Sequence, residues 1–137
     1  MTLNWAFIGK AMGIYAALPA VAVFNGVVRD AVMLPVLGDY GAHVVGSLTG
    51  VALLYLAMAF GLRVLREPRS IADLWVLGAL WMGLTVGVEI VISSVLLGMP
   101  ADAQWQAYKI WQGQLWPLVL VAIFLGPRLL GLRRVDA

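Results

Sequence analysis

The sequence lacks cysteine and is poor in charged residues. Without a thiol there is no disulfide, no thiolate nucleophile and no iron–sulfur ligation, so the four-helix thiol oxidoreductases of membranes are excluded. Only 12% of the 137 residues are charged, compared with about 25% in soluble domains. There is a single histidine, which excludes a haem held by two histidines.

The apolar residues that take the place of the missing charge indicate a membrane protein. They make up 63% of the sequence, and the mean hydropathy is +0.95. The core of one soluble domain could not hide this much apolar surface, whereas a bilayer accepts it on the outside of a helix bundle. The net charge is +2, but the basic residues flank apolar runs. We therefore expect the lipid bilayer as a partner and no nucleic acid.

Four apolar runs are separated by segments that hold nearly all the charge. They predict an all-α integral membrane protein, a four-transmembrane-helix bundle in one domain (1–137), with helices at residues 5–28, 41–62, 74–98 and 115–132. The second run, of about 22 residues, gives about 33 Å of helix and can cross a hydrocarbon core of about 30 Å. Pro19 predicts a kink in the first helix. The connector 29–40 contains Pro35 and Gly38 and is expected to lie in the interface or to re-enter the membrane.

The distribution of basic residues predicts the orientation. The loop after the second run and the C-terminal end carry three arginines each: Arg63, Arg66 and Arg69, and Arg128, Arg133 and Arg134. The other connectors hold Arg29 and Lys109. By the positive-inside rule the arginine-rich segments are cytoplasmic, which places both ends of the chain on that side. The aromatic residues agree, with an outer group at Trp105, Tyr108, Trp111 and Trp116 and an inner pair at Trp5 and Trp75.

Small residues recur at every fourth position in three of the predicted helices. They are Gly9 and Gly13, then Ala42, Gly46 and Gly50, then Gly83 and Gly87. Such spacing lets helix backbones approach one another in lipid, where no hydrophobic force drives association. It favours a closely packed bundle.

Glu89 is the most informative polar residue. It lies about 15 residues into the third run, about 22 Å from the cytoplasmic start, and so in the outer half of the hydrocarbon region. An acid at this depth is costly, and we expect it to face the bundle interior or a water-filled cavity, either protonated or paired. Thr85 and Ser93 flank it at four-residue spacing and share its helix face.

Polar residues of the first two helices fall at the same depth. Asn25 and Arg29 close the first helix at its outer end, and His43 opens the second. We therefore predict one buried polar cluster near the outer face, in which Glu89 pairs with Arg29 or His43. The cluster is interpreted as a structural ion pair, as a site for an ion, proton or small polar ligand, or as a contact with lipid headgroups. Its predicted residues are Glu89, Arg29, His43, Asn25, Ser93 and Thr85.

Several of these residues lie in motifs that resemble a known group of proteins. The motifs are NGVVRD (25–30), LGDYGAH (37–43) and GQLWPLVL (113–120), together with Glu89. They are similar to a family of small, functionally uncharacterised bacterial inner-membrane proteins with four transmembrane helices. The resemblance spans most of the chain and implies a multi-pass protein of the bacterial inner membrane. It supplies no activity.

The sequence departs from this family beside the acid. Such proteins have a basic residue where this chain has Gln114, and aromatic residues where it has Val88 and Ile90. If that basic residue normally partners the acid, Arg29 or His43 takes its place here, or Glu89 is protonated.

Three functions are compatible with these features. In the first, the polar cluster binds or conducts a proton, an ion or a small polar solute, in a homo-oligomer because four helices leave little room for a pathway. In the second, the chain is a non-catalytic accessory or assembly subunit that binds partner membrane subunits. An enzyme is the least favoured, because no nucleophile and base are tied together by spacing. We expect no catalytic residue, no metal and no cofactor.

Overall fold

The computed structural model describes residues 2–132, and within them the chain forms helices and short turns without a β-strand. The α-helices are α1 (Trp5–Tyr15), α2 (Leu18–Val28), α3 (Leu34–Val64), α4 (Ile71–Val91), α5 (Ala101–Gln106) and α6 (Trp116–Leu130). Arg133 and Arg134, which the orientation argument counts, lie outside the described residues, and so does the side chain of Trp111. The expected all-α fold is confirmed.

The first half of the chain is a helical hairpin. A π-helical turn (Arg29–Met33) joins α2 to α3, and the chain reverses inside the range of α3, at Gly38, whose φ is 70°. Glycine accepts this left-handed conformation without strain. Ile14 lies against Gly61, Asn25 against Gly50 and Arg29 against Gly46. In each pair the two residues are equally far along the chain from the midpoint between residues 37 and 38, as in two antiparallel helices.

The connector expected over residues 29–40 is therefore mostly helical. Residues 29–37 extend the first helix, and the turn is confined to the region of Gly38. Pro35 stands where the π-helical turn passes into α3, and the hydrogen bond from the Leu34 N–H back to the Arg29 carbonyl shows the wider local winding at this junction.

The first helix is interrupted near its middle, as Pro19 predicts. Ala16 and Ala17 form a turn between α1 and α2, and the Ala17 N–H donates to the carbonyl of Ile14 rather than to that of residue 13. Because proline has no N–H, the bond back to the Tyr15 carbonyl is also missing. The two segments can therefore diverge in direction.

The second half forms another hairpin. A π-helical turn (Ile92–Leu96) extends α4, the short α5 and a 3₁₀ turn (Ile110–Gln112) cross the end of the bundle, and α6 returns along α4. Close packing occurs at Gly78, where a Cβ would collide with the backbone carbonyl of Phe124. The start of α4 is three residues earlier than the run predicts, because Ser70 and Asp73 form a capping box.

The two hairpins pack side by side into four helical rods. Hydrogen bonds from Asn4 to Asp73 and from Tyr15 to Thr85 hold α1 alongside α4, and α3 packs against α6. Gly131, at the end of α6, lies against Leu74, near the start of α4. The beginning of α1, the loop before α4 and the end of α6 are thus at the same end of the bundle.

The hydrophobic core occupies this end and the middle. Its largest fully buried side chains include Trp81, Phe7, Met58, Leu74 and Leu77. The other half is loosely packed, since α2 buries only Leu18 and neither the two π-helical turns nor α5 buries any residue. We call these the packed half and the open half.

By length and composition, two helical stretches could cross a membrane. They are Trp5–Val64, which contains the reversal at Gly38, and Ile71–Leu96. Both have a mean hydropathy of 1.9 over the most apolar window, of which 17% is buried within the chain. Trp116–Leu130 is a shorter apolar helix. These properties agree with the membrane interpretation of the sequence.

Candidate functional site: a cavity between the two hairpins

A cavity of about 280 Å³ lies between the hairpins in the open half. Its walls are mostly apolar, with four polar side chains among them. The polar residues are Tyr15, Thr85, Glu89 and Ser93, and the apolar walls include Leu18, Ala22, Val23, Leu54, Val88, Ile92, Trp116, Val119 and Ile123. We refer to it as the Glu89 cavity.

The cavity exists because α2 turns away from α4. In the packed half α1 contacts both α3 and α4, whereas beyond the interruption before Pro19 the main partner of α2 is α3. Asn25 fixes that arrangement, because its Nδ2 donates to the Gly46 carbonyl at 2.8 Å. Its Oδ1 accepts from the Thr49 hydroxyl at 2.9 Å. Gly50 leaves space for the amide, since a Cβ there would lie 2.8 Å from Asn25 Nδ2.

Tyr15 forms the floor of the cavity, and Trp81 packs against it. The Thr85 hydroxyl donates to the Trp81 carbonyl at 2.8 Å, so in its 3.1 Å contact with Tyr15 the phenol is the donor. The rings of Tyr15 and Trp81 are tilted against one another with centroids 6.5 Å apart. Because Trp81 is fully buried, the floor is continuous with the core.

Glu89 is held at the outer end of the cavity by two neutral donors. The Tyr108 hydroxyl and the Trp116 Nε1 donate to its Oε2 at 2.7 Å and 2.8 Å. Tyr108 comes from the connector between the hairpin arms, and Trp116 begins α6. Burial raises the pKa of the Tyr108 phenol above its ordinary value, and the hydrogen bond to Glu89 raises it further. At neutral pH this phenol is therefore protonated and able to donate.

The predicted pairing of Glu89 with Arg29 or His43 is wrong. Arg29 Nε pairs with the neighbouring Asp30 at 2.8 Å, and its stem lies over Gly46 on α3. None of the described residues forms an ion pair with Glu89. The reason is geometric: Arg29 and His43 both belong to the far end of the first hairpin, which diverges from α4.

The six predicted site residues thus fall into three places. Thr85, Glu89 and Ser93 share the Glu89 cavity, as their four-residue spacing predicts. Asn25 is a packing residue between α2 and α3. Arg29 and His43 line a separate depression of about 260 Å³ near the turn, where the Nε2 of His43 is buried without a hydrogen-bond partner.

Three residues in or beside the cavity are not among the predicted site residues. The sequence indicates only interface anchors at Tyr108 and Trp116, and Tyr15 lies on a different helix from the polar stripe. The sequence does offer a chemical signal for them. Each of the three side chains has an O–H or N–H donor, which finds no water in an apolar environment and therefore needs an acceptor such as a carboxylate.

Among the described residues, the small-residue spacing coincides with contacts between helices in one of the three helices. Ala42 is buried, and side chains of the first helix fill the space at Gly46 and Gly50. Nothing lies within 4 Å of a Cβ placed on the pair Gly9 and Gly13 or on the pair Gly83 and Gly87.

At the opposite end, two charged residues are buried for structural reasons. Arg69, expected to orient the loop in the membrane, donates to the carbonyls of Leu62 and Leu65 and covers the Phe7 ring at 4.8 Å. It therefore satisfies the C-terminus of α3. Asp73 accepts from the backbone N–H groups of Ser70 and Asn4 and ties the start of the chain to α4.

The Glu89 cavity has the composition of a small-molecule binding site. Within residues 2–132, no three histidine or acidic side chains are grouped as metal ligands. The cavity combines an apolar volume with one carboxylate, which is the usual composition of a small-molecule site. No family model, no curated protein and no solved structure matches the chain, so the comparisons assign no family.

Proposed function

We propose that the chain is a bacterial inner-membrane protein that crosses the bilayer four times and binds a small, mainly apolar molecule in the Glu89 cavity. The single observation that carries this proposal is the position of Glu89 in an apolar space between two helical hairpins. Ionisable residues inside membranes are costly and are usually retained for a function.

The proposed topology follows from the ends of the rods. The end that holds the start of α1 and the loop before α4 carries Lys10, Arg63, Arg66, Arg69 and Arg128 among the described residues. The opposite end carries Arg29 and Lys109. The positive-inside rule then places the packed half toward the cytoplasm and the Glu89 cavity in the outer leaflet.

Lateral access supports an apolar ligand. Val23 of α2, Val88 of α4 and Ile92 of the π-helical turn after it line the cavity and are also exposed on the surface of the chain. The mouth therefore opens between α2 and α4, toward the lipid in the proposed orientation. A molecule dissolved in the bilayer could enter without crossing water.

The same geometry favours binding over conduction by a single chain. Below the cavity, Trp81, Phe7 and Leu77 are fully buried and close-packed. Among the described residues, no chain of polar side chains continues from Thr85 through this region to the packed end. Movement of a proton, ion or polar solute across the membrane would need a rearrangement of the hairpins.

A cavity-filling substitution tests the proposal. Ala22 lines the cavity, whereas Ala79 of α4 is exposed outside it, so Ala22→Phe and Ala79→Phe form a matched pair. The uncharged probe neopentylbenzene, added to the purified chain in lipid nanodiscs, should raise the melting temperature of the wild type and of Ala79→Phe. It should leave Ala22→Phe unchanged. An equal rise in all three proteins would assign the effect to the lipid and end the proposal.

The open glycine faces support a second candidate, an accessory subunit of a larger membrane complex. A Cβ placed on Gly9 or Gly13 of α1, or on Gly83 or Gly87 of α4, would meet nothing within 4 Å in the described part of the chain. Such faces accept the backbone of another helix. Native mass spectrometry after mild extraction distinguishes the candidates, because a subunit should retain partner chains and Gly83→Leu should release them. A homogeneous single-chain species would exclude this role.

A further inference from the structure

The charge balance of the Glu89 cavity identifies a class of ligand. Building on the proposed binding function, we infer that the cavity binds a lipophilic organic cation, that is, an amine or quaternary ammonium group attached to an apolar body. The inference rests on three observations: an acid with no basic partner in the described part of the chain, aromatic walls and a volume that fits a small aromatic molecule.

The described residues give the Glu89 carboxyl group hydrogen bonds but no opposite charge. Both groups that donate to Glu89 Oε2, the phenol of Tyr108 and the indole of Trp116, are uncharged. Among residues 2–132, no lysine, arginine or histidine lines the cavity. A carboxylate in an apolar space gains most from an opposite charge, because the low dielectric strengthens the attraction. A cationic ligand supplies that charge.

The aromatic walls add a second attraction for a cation. Tyr15 forms part of the floor and Trp116 lies at the outer end, beside Glu89. The faces of tryptophan and tyrosine rings attract ammonium groups, and the attraction increases when water is excluded. A cation near Glu89 therefore has both a carboxylate and an aromatic ring within the same cavity.

The apolar walls of the cavity determine which chemistry the rest of the ligand can have. Leu18, Val88, Val119 and Ile123 offer no hydrogen bonds, so a small hydrophilic solute would lose its hydration without replacement. An anion would be repelled by the carboxylate. The volume of about 280 Å³ accommodates a phenyl ring with a short alkylated ammonium group and little more.

A pair of isosteric probes tests the role of charge separately from the role of the cavity. Benzyltrimethylammonium and neopentylbenzene have the same shape and differ in the replacement of the quaternary nitrogen by carbon. Binding of each to wild-type protein in nanodiscs is measured by ligand-observed magnetic resonance and expressed per concentration of probe in the membrane. The cation should bind at least about tenfold more tightly than its neutral isostere.

Two variants locate the selectivity. Glu89→Gln keeps the shape of the side chain and should abolish the preference for the cation while retaining the neutral probe, which shows that the variant is folded. Asp102→Asn removes an exposed acid from the connector outside the cavity and should keep the preference. If both probes bind the wild type equally, the inference is overturned and the proposed function stands. If neither binds, both fail.

If Glu89→Gln does not fold, a competition experiment on the wild type tests the inference instead. Benzenesulfonate, an anion of similar size, should then fail to compete with benzyltrimethylammonium at concentrations where other small aromatic cations displace it. Displacement by the anion with equal potency would overturn the inference.

Discussion

Tyr15 donates a hydrogen bond of 3.1 Å to Thr85, and this contact joins the two hairpins at the level where the packed half ends. Below it, α1 contacts both α3 and α4, and above it α2 follows α3. The bond therefore sets the depth of the Glu89 cavity. It also gives a direct way to ask whether the hairpins are held together at that level.

Tyr15→Phe should destabilise the protein and loosen the cavity floor. The variant leaves the Thr85 hydroxyl with its bond to the Trp81 carbonyl but removes the Tyr15 donor, so we expect a loss of about 0.5–1.5 kcal/mol. Tyr40→Phe is the control, because Tyr40 is 77% exposed near the turn of the first hairpin. Unfolding of both variants in the same detergent checks the difference. Equal stabilities would show that the contact contributes nothing.

Glycine substitutions on α4 should have opposite effects on its two faces. A Cβ on Gly78 would collide with the Phe124 carbonyl, so Gly78→Ala should force α6 away and cost about 1–3 kcal/mol. Gly83→Ala meets nothing within 4 Å and should be neutral or stabilising, since alanine favours helix by about 1 kcal/mol. Melting temperatures of the two variants in detergent provide the comparison. A loss at Gly83 equal to that at Gly78 would contradict the packing described for α4 and α6.

The helical rods were predictable from the sequence because apolar runs are a local property. The runs at 41–62 and 115–132 agree with α3 and α6 within a few residues, apart from the helical extension before Gly38. The partner of Glu89 was not predictable in the same way. Helix periodicity is enough to place Thr85 and Ser93 on the same face as Glu89. The residues opposite that face depend on how far α2 diverges from α4 after Pro19, which periodicity does not determine.

The role of Arg69, at the other end of the bundle, is likewise not predictable from the sequence. In the sequence it is one of three arginines in a loop, and counting charges treats all three alike. In the structure Arg69 is 3% exposed and satisfies carbonyls at the end of α3, whereas Arg66 is exposed. The difference depends on the path of the loop around Phe7, which no residue count records.

Single-cysteine labelling should establish the topology, and the absence of native cysteine makes the experiment clean. A cysteine at Arg66 should react with a membrane-impermeant maleimide only in inverted vesicles. One at Gln106, exposed in the outer connector, should react only in right-side-out vesicles or intact spheroplasts. Labelling of both positions from the same side would contradict the proposed crossings, because the structure places these loops at opposite ends of α4.

The pair of Lys10 and Glu67 should make stability depend on pH in the acid range. The hydrogen bond from the Lys10 ammonium lowers the pKa of the Glu67 carboxyl below its usual value of 4.5. A lowered pKa in the folded state means that the stabilisation is fully present above the unfolded value and is lost as the pH falls through the folded one. Lys10→Met should therefore melt lower than the wild type at about pH 7, and the gap should close below about pH 4. Glu67→Gln should reproduce both results, since either change removes the pair. Because the pair joins α1 to the loop before α4, a gap that persists at low pH would mean that Lys10 stabilises the packed end through its alkyl stem and not through its charge.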